Sequence, residues 1–495
     1  MAVTNAFVNF GAEYEFLSAD GSIYNSLKVL DDSTFLLSYD DGSDSHKGKS
    51  RIASVSGTTI TYGSIYEYIS TPGIGNYVDT AILTPSKFIL AFTDETDSGH
   101  GTLRVGSISG TTITFGSETE FLSTGRAAYL SISALDDSSF VISYADWSDG
   151  RKGKVIIGTV SGTTISLGSA TTFYSSNEAI NTRTASFNAS KFVLCYKQGN
   201  AGDLQGTARI GTVSGTTITL GSEVDFTNIA SSSSFSIDVD ILTSSRFVVC
   251  YRDENDSEHG TSRIGAVDGT TITFGSEAEF LPSGGASQTI VERINNINFA
   301  VFYQDEADSN HGTIKIGTIE DTDITFGDET EFLSTNGVNY ISFGTLSVDK
   351  LVVAYTDVAD SNHGTAKIGL ATVGVVIGNA VTGEVLRIIH RLHKTQDHDP
   401  QLFNTFDVSP SGVNIQVWDI IDGANNLVST PISGCYQIGS TNTWGWSTAN
   451  LPFTQSLQKY HYYFRMISNE NESQYGEFFI TVPEQGHRSY TDWEG

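Results

Sequence analysis

The sequence predicts an all-β chain, a seven-bladed β-propeller of four-stranded blades over residues 1–379 followed by a small Ig-like β-sandwich over residues 380–495, and three observations predict it. A glycine closing a Thr-Ile-Thr-Phe type strand recurs at Gly11, Gly63, Gly116, Gly168, Gly221, Gly275, Gly327 and Gly378, with intervals of 52, 53, 52, 53, 54, 52 and 51 residues. Each interval holds four short runs of alternating apolar and polar residues. After Gly378 the spacing stops, and five of the eight prolines and four of the five tryptophans fall in residues 380–495. A fixed period of roughly 50 residues marks a propeller or a solenoid.

The runs "YLSISAL" from Tyr129, "SFVISYA" from Ser139, "KVIIGTV" from Lys154 and "TTISLGS" from Thr163 each alternate with period two, the pattern of half-buried strands. "DDSS" joins the first pair, and an Asp-rich loop joins the second pair. "SGTT" closes a tight hairpin in which glycine supplies positive φ. Four strands per unit make one blade, and seven intervals make seven blades whose faces cover one another. Residues 4–16, "TNAFVNFGAEYEF", match the end of a unit without its beginning. They are expected to give the outermost strand of the seventh blade, beside or in place of "TVGVVIG", so that both ends of the ring share one sheet. Chain parity puts the Asp-rich loops and the crossovers between blades on one face, where partners are expected because long loops on a rigid scaffold carry function.

Composition narrows the function. Aromatics at 11%, 49 glycines and 17% charged residues suit many short strands and turns. A formal charge of −30 argues against nucleic acid, because phosphate binding requires a basic surface. Cys195 and Cys250 occupy the same place in neighbouring repeats and Cys435 stands alone, so buried thiols are expected and no disulfide framework. No apolar run reaches membrane-spanning length, and "MAVTNAFVNFGAEYEF" lacks the basic and apolar regions of a secretory signal. Synthesis in a cytoplasm and display without secretion are expected.

The loop between the second and third strands reads "DETDSGHG" from Asp94, "DENDSEHG" from Asp253, "DEADSNHG" from Asp305 and "DVADSNHG" from Asp357. Two aspartates and a histidine keep their spacing: Asp94, Asp97 and His100; Asp253, Asp256 and His259; Asp305, Asp308 and His311; Asp357, Asp360 and His363. Blades I and III vary it as "DGSDSHKG" and "DWSDGRKG", and blade IV departs with "QGNAGDLQG". One reading is structural, since Asp accepts turn N–H groups and Gly takes the left-handed position. The other makes these twelve residues a ring of shallow ligand-binding sites for sugar or cation. The spacing lacks the dense oxygen pattern of calcium loops, so no metal and no cofactor is assigned. Carboxylate pairs occur throughout and single out no catalytic point, and the signature motifs of sialidase, WD and kelch propellers are absent, so the chain is expected not to be an enzyme.

In residues 380–495, "GVNIQVWDI", "GCYQIG", "WGWSTANL", "KYHYYFRMI" and "YGEFFITV" read as strands of the sandwich. Arg387, His390, Arg391, His393 and Lys394 concentrate positive charge in an acidic chain and are assigned as a docking surface, against the simpler reading of a solvated strand face. The run from Val417, "VWDIIDGANNLVSTPISGCYQIGSTNTWGWSTANL", with "YHYYFRMISNENESQYGEFFITV", resembles small β-sandwich modules of tailed-phage virion proteins, and the serial "SGTTITFGS" units resemble repeat propellers of phage and marine microbial proteins. That resemblance implies a virion structural protein, displayed on the particle surface. The propeller would face outward for host glycan or receptor attachment, with the C-terminal domain docked on other virion proteins. Alternatives are a capsid or tail decoration protein without receptor binding, a free multivalent lectin, and a glycoside-cleaving enzyme.

Overall fold

The computed structural model describes residues 7–18, 21–70, 74–199, 204–229, 236–335 and 337–372, and separate strand segments from Leu386 onward. Residues Met1–Val373 and Gly374–Gly495 form two compact units.

In the first unit seven antiparallel sheets follow in chain order, each a propeller blade. Blade III shows the plan, with strands Ala127–Asp136, Ser139–Asp146, Lys152–Ser161, Thr164–Leu167 and Thr171–Tyr174. The last two are halves of one outer strand, because both pair antiparallel with the third, at Gly158–Ser161 and at Gly153–Val155. The blade is thus four-stranded, with an interrupted outer edge. The interruption falls on the recurring glycine: the Gly168 N–H donates to Ile157 O at 2.8 Å. A β-carbon there would lie 2.7 Å from Thr216 Cβ in the next blade's hairpin. Gly63 and Thr111 repeat this approach, as do Gly116 with Thr163 and Gly221 with Thr270. The glycine recurs because adjacent blades touch at it. Gly57, Gly110, Gly162, Gly215 and Gly269 in the "SGTT" turns all hold φ between 59° and 62°, the first position of a two-residue hairpin that only glycine fills without strain.

The core lies between blade faces. Ile89, Leu103 and Phe121 of blade II pack with Leu130, Ile142 and Tyr144 of blade III, and similar clusters join the other neighbours, including blade VII to blade I. Alternation along the second strands leaves Phe140 and Ile142 without solvent exposure, and burying a side chain of this size contributes about 1.5–3 kcal/mol. Cys195 and Cys250 are buried free thiols.

The N-terminal segment closes the ring. Phe7–Phe10 takes the outer position of blade VII against Gly369–Thr372, and Tyr14–Leu17 pairs with Gly364–Ala366. The innermost strands of successive blades touch all round, Ser22–Asp31 meeting Val338–Ser347.

In the second unit, Leu386–Arg387, Gln401–Phe406, Thr443–Ser447 and Cys435–Gln437 form one sheet and His461–Ser468 pairs with Asn471–Thr481. The expected sandwich packing lies outside the described residues. So do His390, Arg391, His393 and Lys394, and the side chain of Arg387.

Candidate functional site

The Asp-rich loops and the crossovers meet on one face, as parity requires: the Gly42 N–H donates to Gly21 O at 2.8 Å and the Trp147 N–H to Arg126 O at 3.1 Å. Each loop is built by its first aspartate. Asp94 Oδ1 accepts from the Thr96 N–H at 2.9 Å, Asp253 Oδ1 from Asn255 at 3.0 Å, Asp305 Oδ1 from Ala307 at 2.9 Å and Asp357 Oδ1 from Ala359 at 2.9 Å. These four carboxylates are buried turn caps, and burial moves Asp253, Asp305 and Asp357 above the usual carboxylate range. The loop then passes through left-handed residues such as Ser257 and Glu258, at φ 53° and 68°. A carbonyl freed there accepts from the next blade: Glu258 O from the Ala286 N–H at 3.0 Å, Asn310 O from Val338 at 3.1 Å, and Asn362 O from Ser22 at 3.2 Å across the closure.

The second aspartate and the histidine do something else. With a glutamate from the outer strand they form four triads: Asp97, His100 and Glu120; Asp256, His259 and Glu279; Asp308, His311 and Glu331; and Glu15, Asp360 and His363. In blade II His100 Nδ1 lies 3.3 Å from Asp97 Oδ2 and 3.5 Å from Glu120 Oε2. The matching separations are 3.6 and 3.7 Å in blade V, 3.3 and 3.6 Å in blade VI, and 3.3 and 3.7 Å in blade VII. All four Nδ1 atoms are buried and make no hydrogen bond among the described residues. In blade I a lysine stands where the histidine would: Lys47 Nζ sits 3.4 Å from both Asp44 Oδ2 and Glu67 Oε1.

At the centre of the same face the innermost strands begin with a repeated irregularity. Tyr24, Tyr129, Asn181, Gln288 and Tyr340 hold φ between 49° and 51°, a conformation that side chains seldom adopt outside turns or functional positions. The residues there line the mouth of a channel of about 1460 Å³. Three of them, with Tyr77 at the same place in blade II, make a contiguous arc of four tyrosines, with ring centroids 4.8 Å apart for Tyr340 and Tyr24, 5.9 Å for Tyr24 and Tyr77, and 5.3 Å for Tyr77 and Tyr129. All are half-buried, and burial raises their hydroxyl pKa values, so they stay neutral donors.

Deeper in the channel, side chains supply what the missing neighbour strand would. The innermost strand of each blade is an edge, and its N–H groups need acceptors. Asp79 Oδ2 accepts from Ile132 N–H at 3.0 Å, Asp238 Oδ2 from Val291 at 3.0 Å, and Asp240 Oδ2 from Arg293 at 2.7 Å, each reaching into the next blade. Ser131 and Ser342 serve Thr184 and Leu27 in the same way. Burial pushes Asp238 up to about 6, and burial with the neighbouring Asp240 charge pushes Glu292 up to about 8.

Sequence spacing brought Asp97, Asp256, Asp308 and Asp360 to their histidines but missed the glutamates and the tyrosines. Both left a signal. "EFL" follows the recurring glycine in the same four blades that carry "HGT", at Glu15, Glu120, Glu279 and Glu331. Tyr24, Tyr77 and Tyr129 recur at the blade period.

No protein-family model and no curated protein matches the chain. Among solved structures it is similar to a lectin from Burkholderia pseudomallei, at 8% identity over 69% of this chain and 94% of that chain, with a TM-score of 0.49. It is also similar to a Dyadobacter fermentans protein of unknown function, at 11% identity over 74% and 99%, TM-score 0.44. A Hadza microbial sialidase is similar at 11% identity over 59% and 66%, TM-score 0.39.

Proposed function

We propose that the propeller is a carbohydrate-binding head and that its site is the channel mouth on the loop face. The observation that carries this is the arc of Tyr340, Tyr24, Tyr77 and Tyr129, continued round the mouth by Asn181 and Gln288. A sugar offers C–H faces and a rim of hydroxyls. Aromatic rings take the first, while amides and carboxylates take the second, in a concave site with a few convergent polar groups. The left-handed backbone at Tyr24, Tyr129, Asn181, Gln288 and Tyr340 is costly, which supports a role beyond packing.

The finer reading sets this head on the outside of a tailed-phage particle, for attachment to a host glycan. What supports it is the sequence resemblance of the C-terminal run, with Arg387, His390, Arg391, His393 and Lys394 as the docking surface. No catalytic step is assigned, since Asp79, Asp238 and Asp240 already serve neighbouring backbone. The test is glycan-array binding by the full chain. Tyr77→Ala with Tyr129→Ala should lower affinity by about 30-fold or more, the loss expected of buried aromatic anchors. Unchanged binding in that variant, or no glycan bound by the parent, would end the reading. Antibody labelling of intact particles tests the finer part, and no label on virions removes it.

A further inference from the structure

We propose that the four His-Asp-Glu triads bind divalent transition-metal ions of the zinc class, one ion per triad. This stands apart from the carbohydrate reading, because the triads lie on the outer half of each blade and share no residue with the channel mouth.

Three observations carry it. The separations of 3.3–3.7 Å between Nδ1 and the carboxylate oxygens are too long for a charge-assisted hydrogen bond, which closes to about 2.7–2.9 Å. They fit a shared ion: tetrahedral zinc with arms of about 2.1 Å sets its ligand atoms about 3.4 Å apart. Second, the imidazole Nδ1 is buried and has no hydrogen-bond partner among the described residues in all four copies, and repetition in four blades marks a built arrangement. Third, blade I puts an ammonium group 3.4 Å from each of the two equivalent carboxylates, so the pocket takes positive charge. Two carboxylates beside one neutral imidazole leave a charge of about −2, the complement of a divalent ion. The nitrogen donor favours zinc and its neighbours over calcium or magnesium. Asp97 and Glu120 are 56% and 40% exposed, which leaves one side open for an ion to arrive and for water to complete its shell.

The blade VII triad takes Glu15 from the N-terminal strand and Asp360 and His363 from the last blade. An ion there would bridge the seam of the ring.

The test is zinc stoichiometry of the full chain, stripped with chelator, reloaded with zinc sulfate, gel-filtered and measured by mass spectrometry and calorimetry. His259→Lys copies what blade I already tolerates and should remove one equivalent while the melting curve stays cooperative. Glu279→Gln, at an exposed position, should weaken one site tenfold or more, and serves if the first variant fails to fold. A parent chain that takes up less than one equivalent, or a full count in both folded variants, overturns the proposal. Equal affinity for calcium overturns the assignment to the zinc class.

Discussion

Blades II, V, VI and VII carry His-Gly-Thr at the head of the third strand, whereas blades I and III carry Lys-Gly-Lys. The backbone does not register the difference. Blade II, with histidine, and blade III, with lysine, share a 3-10 turn over Glu95–Asp97 and Trp147–Asp149, left-handed residues behind it (Ser98 and Gly99 at φ 59° and 78°, Gly150 and Arg151 at 65° and 61°), and a capping aspartate that accepts the same turn N–H group, from Thr96 and from Ser148. What changes is the charge balance. Lys152 and Lys154 Nζ each lie 2.7 Å from Asp149, and together they hold its carboxyl down at about 2. Lys49 in blade I reaches Asp41 at 2.6 Å and Asp44 at 2.7 Å. Two lysines make the pocket self-neutralised; one imidazole leaves two carboxylates unanswered. The loop conformation therefore belongs to the propeller, and the histidine is an addition to it.

If the two classes differ only at the triad, a defect in the packing beneath should not distinguish them. A β-carbon on Gly101 would lie 2.3 Å from the Phe121 ring, and one on Gly153 would lie 2.2 Å from the Phe173 ring. Those rings are held by Tyr144 and Tyr196 at centroid distances of 4.9 Å and have nowhere to retreat. Gly101→Ala and Gly153→Ala should each destabilise the propeller by about 3 kcal/mol, the upper range for overpacking. Denaturant midpoints measure this. A clear gap between the two variants would break the comparison, because the classes would then differ in their cores.

The next effect is confined to one His blade. At a hundredfold excess over its dissociation constant, zinc should disfavour any opening that breaks its site by about 2.7 kcal/mol. Of the four sites, that of blade VII joins the N-terminal strand to the end of the ring, so zinc should slow hydrogen exchange of Gly11, whose N–H donates to Ile368 O at 2.8 Å, by about 100-fold. Glu15→Gln should abolish that protection and Glu120→Gln should keep it. Protection that survives Glu15→Gln would mean the seam is not bridged.

The sequence made the ring legible because its two signals are local. The recurring glycine is fixed by the approach of Thr216 and its counterparts, and the "SGTT" glycine by a positive φ near 60°. The triads were legible by halves. Asp97 and His100 sit in one loop, whereas Glu120 arrives from the far half of an outer strand whose interruption at Gly116 hides that it returns along the same third strand. The first aspartates looked like ligands by spacing, and their accepted N–H bonds show the turn chemistry that fixes that spacing. The tyrosine arc was hidden because nothing in "SIYNSL" or "AAYLSI" announces the left-handed Tyr24 or Tyr129 at the head of a strand. At the C-terminal docking residues the described structure adds nothing to the sequence reading.

The smallest expected change in stability belongs to the sharpest version of the comparison. Blade I keeps both carboxylates of a triad, Asp44 and Glu67, and differs by its lysines. Lys47→His with Lys49→Thr should therefore convert it into a fifth zinc site. Stability without metal should fall little at the exposed Lys47 contacts, where solvent screens the charges, with a further loss from the more buried Lys49 and Asp41 pair. Blade III supplies the control, because Thr172 stands where the glutamate would be. Lys152→His with Lys154→Thr should lose its ion pairs and gain no ion, until Thr172→Glu is added. A fifth equivalent in the blade I variant but not in the blade III double variant would show that the carboxylate pair and the imidazole together make the site. Equal uptake by both would reduce it to the histidine alone.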